Sequence, residues 1–221
     1  MSYTKQMFNT STASTHKTQL KAWLEANATD WFDSIEVDEN NLYAKKEGFT
    51  VFKVVYSNYG NSQYGRFAVG SKYTTVSFME KWGCDYVVKT SKGLCFHFAK
   101  DSSDSRSYQG WVFITKTEDN SMGILAIGAQ EYSSSYYHRM YVIDFDNTQT
   151  ASYMRSETKD ILEMLTMSAG QTALINFPLY QDAKHLADVY IIPVSQYKGV
   201  GGEISYNGDT FWTNGYLAMG E

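Results

Sequence analysis

Between residues 31 and 146 the sequence is a succession of short apolar segments separated by turn residues, and this pattern constrains the fold more than any other feature. Apolar and polar side chains alternate within most segments, which is the period of a half-buried β-strand. Such strands predict antiparallel sheets, arranged as a β-sandwich or a barrel-like unit. The predicted strands are WFDSIEV (31–37), FTVFKVVYS (49–57), YGRFAVGS (64–71), YTTVSFM (73–79), CDYVVKT (84–90), LCFHFAK (94–100), YQGWVFITKT (108–117), MGILAIGA (122–129) and RMYVIDFD (139–146).

Helical spacing is confined to two short segments. An apolar stripe from Leu20 to Asn27 predicts a helix over 16–27, with Ser14 or Thr15 as its cap. The fold class expected is therefore mainly β, of the α+β type. Its expected parts are an N-terminal arm (1–15) and a single β-rich domain (16–221), with a second short helix at 156–167 after a polar loop at 147–158 and a closing β-meander at 203–221.

Composition argues against nucleic-acid and membrane partners. The net charge is −5, and no run of basic residues supplies the concentrated positive surface that binding to phosphates requires. The longest apolar stretch, 123–129, is far shorter than the ~20 residues of a membrane span. The N-terminal residues lack the apolar core of a secretory signal. We therefore expect a soluble protein that folds in a cytoplasm.

The two cysteines are expected to remain reduced. Cys84 and Cys95 flank a predicted hairpin whose turn falls near 91–93. This turn places Cys95 opposite Val88 rather than opposite Cys84, which disfavours a disulfide between them.

The last residues, ISYNGDTFWTNGYLAMGE, predict a tight three-stranded meander. Asn207-Gly208 is typical of a two-residue type I′ turn, which sets Ile204 opposite Phe211. If Asn214-Gly215 forms the next such turn, Trp212 lies opposite Leu217. One face then carries Ile204, Tyr206, Phe211 and Ala218, and the other carries Trp212, Leu217 and Met219.

Both faces of this meander are apolar, so both require cover. Either the rest of the chain supplies the cover or another copy does, and the sequence leaves the two alternatives open. The second alternative predicts a homo-oligomer. Its interface would be formed by Trp212, Leu217, Met219, Tyr206 and Phe211.

The stretch EISYNGDTFWTNGYLAMGE resembles the C-terminal signature of small structural proteins of tailed bacteriophages, where an NG turn, an aromatic strand and TNGY close the chain. TALINFPLYQDAKHLADVYIIPVSQYKGVGG and GWVFITKTEDNSMGILAI are similar to the same family, whereas Ala218-Met219 and Gly220-Glu221 depart from its usual Lys-Asp ending. The resemblance implies a non-enzymatic virion protein of the tail or its tip. It would be made in the bacterial cytoplasm and assembled with copies of itself and other virion proteins.

Residues with catalytic or metal-binding potential are scattered. His97 lies between Phe96 and Phe98 in a predicted strand and so points to the opposite face, where we expect it to be solvated or hydrogen-bonded. His138 and His185 are expected in polar loops. No spacing typical of a metal, phosphate or nucleophile motif is present, so no cofactor, no metal and no enzymatic activity are expected. A hydrolase with an unrecognised site is a third alternative.

Asp144 and Asp146 share one face of a predicted strand, a spacing that could serve a hard cation. The remaining ligands of a calcium loop are missing, so we expect a solvated strand end.

The segment QEYSSSYYHRM (130–140) is predicted to be a loop. Tyrosines among serines suit adaptable recognition, since their rings stack on sugars and their hydroxyls form hydrogen bonds. An ordinary polar loop or a subunit contact is the alternative. The candidate glycan-binding residues, for a host surface glycan, are Tyr132, Tyr136, Tyr137 and His138.

Overall fold

A computed structural model describes residues 3–8, 12–56, 65–100, 109–132, 135–146, 150–155, 175–178, 185–191, 202–214 and 217–221. Within these residues the chain is mostly β, with one short helix, antiparallel sheets and no closed barrel. The sandwich-like α+β fold predicted from the alternating segments is thereby confirmed.

One helix and sixteen strands make up the described fold. The helix is α1 (Ala13–Asn27), and the strands are β1 (Thr4–Met7), β2 (Ser34–Val37), β3 (Asn41–Lys46), β4 (Phe49–Val55), β5 (Gly65–Gly70), β6 (Thr75–Lys89), β7 (Leu94–Lys100), β8 (Gln109–Lys116), β9 (Met122–Tyr132), β10 (Ser135–Asp144), β11 (Thr150–Arg155), β12 (Ile175–Pro178), β13 (His185–Ile191), β14 (Gly202–Tyr206), β15 (Asp209–Thr213) and β16 (Leu217–Gly220).

The large sheet follows the sequence, because β2 to β11 lie side by side in chain order. The long strand β6 has β7 on one side, and β5 followed by β1 on the other. The amide of Lys72, in the turn between β5 and β6, donates a 3.0 Å hydrogen bond to the carbonyl of Phe145, just after β10. Strands that are distant in the sheet order therefore meet, and the sheet curves round an apolar interior.

The face of the large sheet that meets α1 encloses most of the core, which we call the inner cluster. Aromatic rings pack closely within it: the centroids of Phe67 and Phe98 lie 4.0 Å apart, and those of Phe52 and Phe96 lie 5.0 Å apart. Fully burying each such side chain contributes about 1.5–3 kcal/mol. Representative members of the inner cluster are Phe52, Phe67, Phe96, Phe98, Phe145, Leu42, Ile124, Leu20 and Leu24.

Helix α1 covers this face through Leu20 and Leu24, one turn apart and both buried. Thr12 caps its start, because the Thr12 hydroxyl accepts the amide hydrogen of Thr15 at 3.1 Å. The helix therefore begins at Ala13, ahead of the predicted start at residue 16.

The opposite face of β6 to β10 packs against the small sheet, whose order is β12-β13-β16-β15-β14. The sheets approach closely at Gly123, where an added Cβ would lie 2.3 Å from the Leu186 side chain. This second core, the outer cluster, comprises Val88, Cys95, Trp111, Phe113, Leu125, Ile127, Met140, Val142, Leu186, Val189, Trp212, Leu217 and Met219.

Several predicted boundaries differ from the fold. Part of the predicted arm forms β1, and residues 150–155 of the predicted loop form β11. The polar strand β3 was not predicted, because its lysines and tyrosine obscure the alternation. The two strands predicted at 73–79 and 84–90 are one strand, β6, which a register shift interrupts. The predicted second helix at 156–167 lies outside the described residues.

Candidate functional site

The terminal meander forms as predicted at its first turn and differs at its second. Ile204 pairs with Phe211, which confirms the predicted register, and Asn207 and Gly208 adopt the positive φ angles of 52° and 93° that a type I′ turn requires. In the second hairpin Trp212 pairs with Met219 rather than with Leu217. A shift of register by an even number of residues keeps every residue on its predicted face.

Burial of the meander within its own chain corrects the premise of the predicted interface. Trp212, Leu217 and Met219 belong to the outer cluster, covered by the large sheet of the same chain. Phe211 is also buried and Tyr206 is half-buried, in a small third cluster on the other face. These side chains therefore do not need a second copy to cover them. Self-association through them stays a prediction, but their burial no longer supports it.

The candidate glycan-binding residues lie in strands rather than in the predicted loop. Tyr132 ends β9 and pairs with Ser135, and β10 contains Tyr136, Tyr137 and His138. β9 pairs with β8 only as far as Ile127. Beyond Ile127, β9 and β10 continue as a two-stranded ribbon, and no described strand pairs with β9 on the side where β8 lay. Tyr136 and Tyr137 are successive positions of β10, and successive strand positions belong to opposite faces.

Of the two aspartates predicted at a solvated strand end, Asp146 is exposed as expected and Asp144 is buried, and both are hydrogen-bonded. The Ser121 hydroxyl lies 2.9 Å from a carboxylate oxygen of Asp144, which is buried, and 2.8 Å from one of Asp146. Lys72 forms a 2.6 Å ion pair with Asp146, and this bond is the main cause that lowers the pKa of that carboxyl. Among the described residues, no group of three or more His, Cys, Asp or Glu side chains could hold a metal ion.

The cysteines match the predicted geometry. Cys95 pairs with Val88 across the hairpin, as expected, and both Cys84 and Cys95 are free and buried. Burial raises the pKa of each thiol well above its ordinary value. Both groups are therefore protonated and poor nucleophiles.

A more specific arrangement of polar groups surrounds the middle of β6. The register between β6 and β7 shifts there: Cys84 pairs with Phe98 and Tyr86 with His97, which leaves Asp85 as an extra residue in a β-bulge. The Phe8 amide donates a 2.9 Å hydrogen bond to the carbonyl of Asp85. The bulge turns the Asp85 carboxylate towards His97, and an Asp85 oxygen lies 2.5 Å from His97 Nδ1.

Two aromatic rings lie against His97 from adjacent directions, since their own centroids are 6.1 Å apart. The Tyr86 ring stacks on it with centroids 4.6 Å apart, and the Trp111 ring on the neighbouring strand lies 4.1 Å from it. The ammonium group of Lys5 sits 3.8 Å from the centre of the Tyr86 ring. Desolvation is the main cause that raises the pKa of the Tyr86 hydroxyl, so this tyrosine is neutral. The cluster of Asp85, Tyr86, His97 and Trp111 lies at the rim of the outer cluster, beside the N-terminal strand.

Two buried nitrogen atoms of this cluster have no hydrogen-bond partner: His97 Nε2 and Trp111 Nε1. The exposed fractions of the two residues are only 5% and 3%. Buried polar atoms without partners are rare and costly in native proteins, so each calls for a specific explanation. A carboxylate can only accept, so Nδ1 of neutral His97 carries the proton and Nε2 is a bare acceptor, while Trp111 Nε1 is an obligate donor.

Sequence reasoning found the face of His97 but not its partners. The alternation with Phe96 and Phe98 correctly placed it away from them. The Asp85 contact depends on a bulge, which no periodicity reveals. His138 and His185, predicted in loops, lie within β10 and at the first residue of β13.

Comparison with known proteins gives no family. No protein-family model matches the sequence, and no curated protein and no solved structure is significantly similar to it. In the part of the chain that the structure describes, no helix is long and apolar enough to cross a membrane.

Proposed function

We propose that this chain is a structural protein of a tailed-bacteriophage particle, a non-enzymatic building block of the tail or its tip that works as a homo-oligomer. The observation that carries the proposal is the terminal meander β14–β16, whose Asn207-Gly208 turn and aromatic strand are the part of the chain that resembles such proteins. In this proposal the protein resides in the virion, where it contacts copies of itself and other virion proteins.

The open edge of β14 is the surface that we assign to contact between copies. Among the described strands, β14 pairs only with β15. The turn at Asn207-Gly208 makes Tyr206 and Asp209 a hydrogen-bonded pair, and bonded pairs alternate along antiparallel strands. The backbone groups of Glu203 and Ser205 therefore point outwards, free to pair with a strand of another copy.

A proline at Ser205 tests this assignment. Ser205→Pro removes the outward amide without removing a bond to β15, so it should convert an oligomer into a monomer and leave the fold intact. Ser205→Ala keeps the amide and is the matched control. Size-exclusion chromatography with light scattering measures the mass, and circular dichroism checks the fold. A wild-type chain that stays monomeric at every concentration would refute the oligomer.

The particle itself is tested by location. An antibody raised against the chain should label the tail or its tip in electron micrographs of purified virions from the phage that encodes it. Mass spectrometry of the same virions should detect the chain in several copies. Finding it only in lysates of infected cells, and never in washed particles, would contradict the proposal.

The β9–β10 ribbon favours a second candidate function, the binding of a host surface glycan by the adsorption apparatus. The ribbon extends past the last residue of β9 that pairs with β8 and carries Tyr132, Tyr136, Tyr137 and His138 in its two strands. Because Tyr136 and Tyr137 belong to opposite faces, Tyr136→Ala and Tyr137→Ala should differ in effect if one face binds the sugar. A glycan array of the wild-type chain and both variants measures this. Equal binding by all three chains would exclude the ribbon as the binding site. If the wild-type chain binds no glycan on the array, this function is excluded.

A further inference from the structure

The unpartnered atoms of His97 and Trp111 are complementary. One accepts a hydrogen bond and the other donates one, and the centroids of their rings lie 4.1 Å apart. Neither atom contacts the other within hydrogen-bond distance, since both lack a partner. A single small group placed beside both rings could satisfy the two atoms at once.

The chemistry of that group is restricted. For the neutral form of His97, it must accept from Trp111 Nε1 and donate to His97 Nε2. An ammonium ion cannot accept and a carboxylate cannot donate. A carboxylate or a phosphate would also bring negative charge towards the Asp85 carboxylate, which lies 2.5 Å from the same imidazole. A hydroxyl group does both and carries no charge.

We propose that the cluster of Asp85, Tyr86, His97 and Trp111 binds a neutral hydroxyl-bearing molecule, such as a polyol or a sugar. One hydroxyl group bridges His97 Nε2 and Trp111 Nε1. The Asp85 carboxylate holds the imidazole in the accepting tautomer, a positioning role, and the Trp111 ring supplies an apolar surface for the C–H groups of the ligand. This inference does not depend on the proposed function.

The N-terminal segment covers the cluster. Tyr3 packs, partly buried, against the outer cluster, and the ammonium group of Lys5 lies 3.8 Å from the centre of the Tyr86 ring. All four residues of β1, which pairs with β6 beside the cluster, are exposed. Movement of Tyr3 and Lys5 is the step that admits the ligand.

The cysteine that shares a strand face with His97 does not add a reactive nucleophile to the cluster. The nearest thiol along the same strand face, that of Cys95, is fully buried, and its pKa is raised. A protonated thiol does not attack a carbonyl or a glycosidic carbon. The cluster thus offers an oriented acceptor and a donor without an activated nucleophile.

Nuclear magnetic resonance of the full chain tests the site directly. Glycerol and D-glucose are the neutral probes, and acetate and tetramethylammonium are the charged ones. The indole N–H resonance of Trp111 and the Nε2 resonance of His97 should shift saturably with a neutral probe and not with a charged one. His97→Phe should weaken this binding about tenfold, the effect of losing one hydrogen bond. Tyr3→Ser with Lys5→Ser should strengthen it by exposing the cluster.

The control is Trp31→Phe, which removes an indole from the inner cluster and should leave probe affinity unchanged. If His97→Phe does not fold, Trp111→Phe observed through the His97 resonances makes the same comparison. The absence of any saturable shift, in both the wild type and the Tyr3/Lys5 variant, overturns the proposal. A cross-peak between the Trp111 indole proton and a water molecule that persists at saturating probe also overturns it, because the site would then hold structural water only.

Discussion

Among the residues whose burial is described, one histidine is buried at each face of the large sheet, His16 of α1 and His97 of β7, and the two are held in different ways. His16 of α1 uses both ring nitrogens: Nδ1 lies 2.7 Å from the Tyr56 hydroxyl and Nε2 lies 2.7 Å from the Cys84 carbonyl. His97 of β7 uses only Nδ1, towards Asp85. Their anchors, Cys84 and Asp85, are consecutive residues of β6.

The two imidazoles therefore hold opposite tautomers in their neutral forms. A carbonyl can only accept, so His16 carries its proton on Nε2 and accepts from the Tyr56 hydroxyl at Nδ1. His97 carries its proton on Nδ1 and presents a bare Nε2. Burial alone therefore does not distinguish a structural histidine from a candidate binding residue. What distinguishes them is whether the second ring nitrogen has a hydrogen-bond partner.

The largest expected effect tests whether the outer cluster is a true core. Leu217 is fully buried, so Leu217→Asp places a carboxylate among apolar side chains without a partner. The free energy of unfolding should fall by about 4 kcal/mol or more, measured by urea denaturation. Leu217→Met, which conserves volume, should cost less than ~1.5 kcal/mol. A stable Leu217→Asp chain that only fails to self-associate would restore this residue to an interface.

The next effect tests the structural role of His16. His16→Leu keeps the approximate size of the side chain but removes the imidazole partner of the Tyr56 hydroxyl and of the Cys84 carbonyl. We expect the free energy of unfolding to fall by about 2–4 kcal/mol, the cost of two buried unpaired groups. The same urea titration measures it. A change below the error of that method would mean that water replaces the imidazole, and the contrast with His97 would weaken.

The pH dependence of stability sharpens the contrast. Burial is the main cause that lowers the pKa of His16 below its ordinary value of 6.5. The unfolded chain therefore binds a proton at His16 that the folded chain does not, and stability decreases as the pH falls below about 6.5, by up to ~1.4 kcal/mol per pH unit. His16→Leu should flatten this part of the profile. Urea titrations from pH 7.5 downwards compare the two chains, and parallel profiles would exclude His16 as the cause.

The smallest effect is expected at His97. His97→Phe removes one unpartnered nitrogen, and water can solvate the Asp85 carboxylate that it leaves, because 28% of that side chain is exposed. The free energy of unfolding should change by less than ~1 kcal/mol. A loss as large as that of His16→Leu would show that His97 is primarily structural.

The sequence predicted which side chains share one face of a strand better than it predicted which distant residues contact them. Its period of two placed Trp212 and Leu217 together, and that placement survived an error in the second turn. There Asn214 closes a wider loop, in which its side-chain oxygen accepts the Leu217 amide hydrogen at 2.8 Å. Whether the same chain or a second copy covers an apolar face depends on contacts between segments that are distant in sequence. Local alternation contains no information about these contacts.

The candidate binding cluster could not be predicted for a related reason. Asp85 reaches His97 only because one residue bulges out of β6, and Trp111 reaches it because β8 is in one particular register with β7. The tyrosine segment at 130–140 was predicted as a loop because its serines and tyrosines lack apolar alternation. Its described residues, 130–132 and 135–140, are extended nevertheless, since hydrogen bonds between β9 and β10 outweigh the weak local preference.

The chain-order arrangement of β2 to β11 has a consequence for how the molecule is made. Neighbouring strands close short loops, which costs little chain entropy, so the hairpins of the large sheet can form as they leave the ribosome. The small sheet is built from later segments of the chain. Trp111, Phe113 and Leu125 therefore stay exposed to solvent until β13 to β16 have been synthesised. We therefore expect the nascent chain to expose an apolar strip, the large-sheet side of the outer cluster, during synthesis. A chaperone would recognise that strip, whereas the finished protein conceals it.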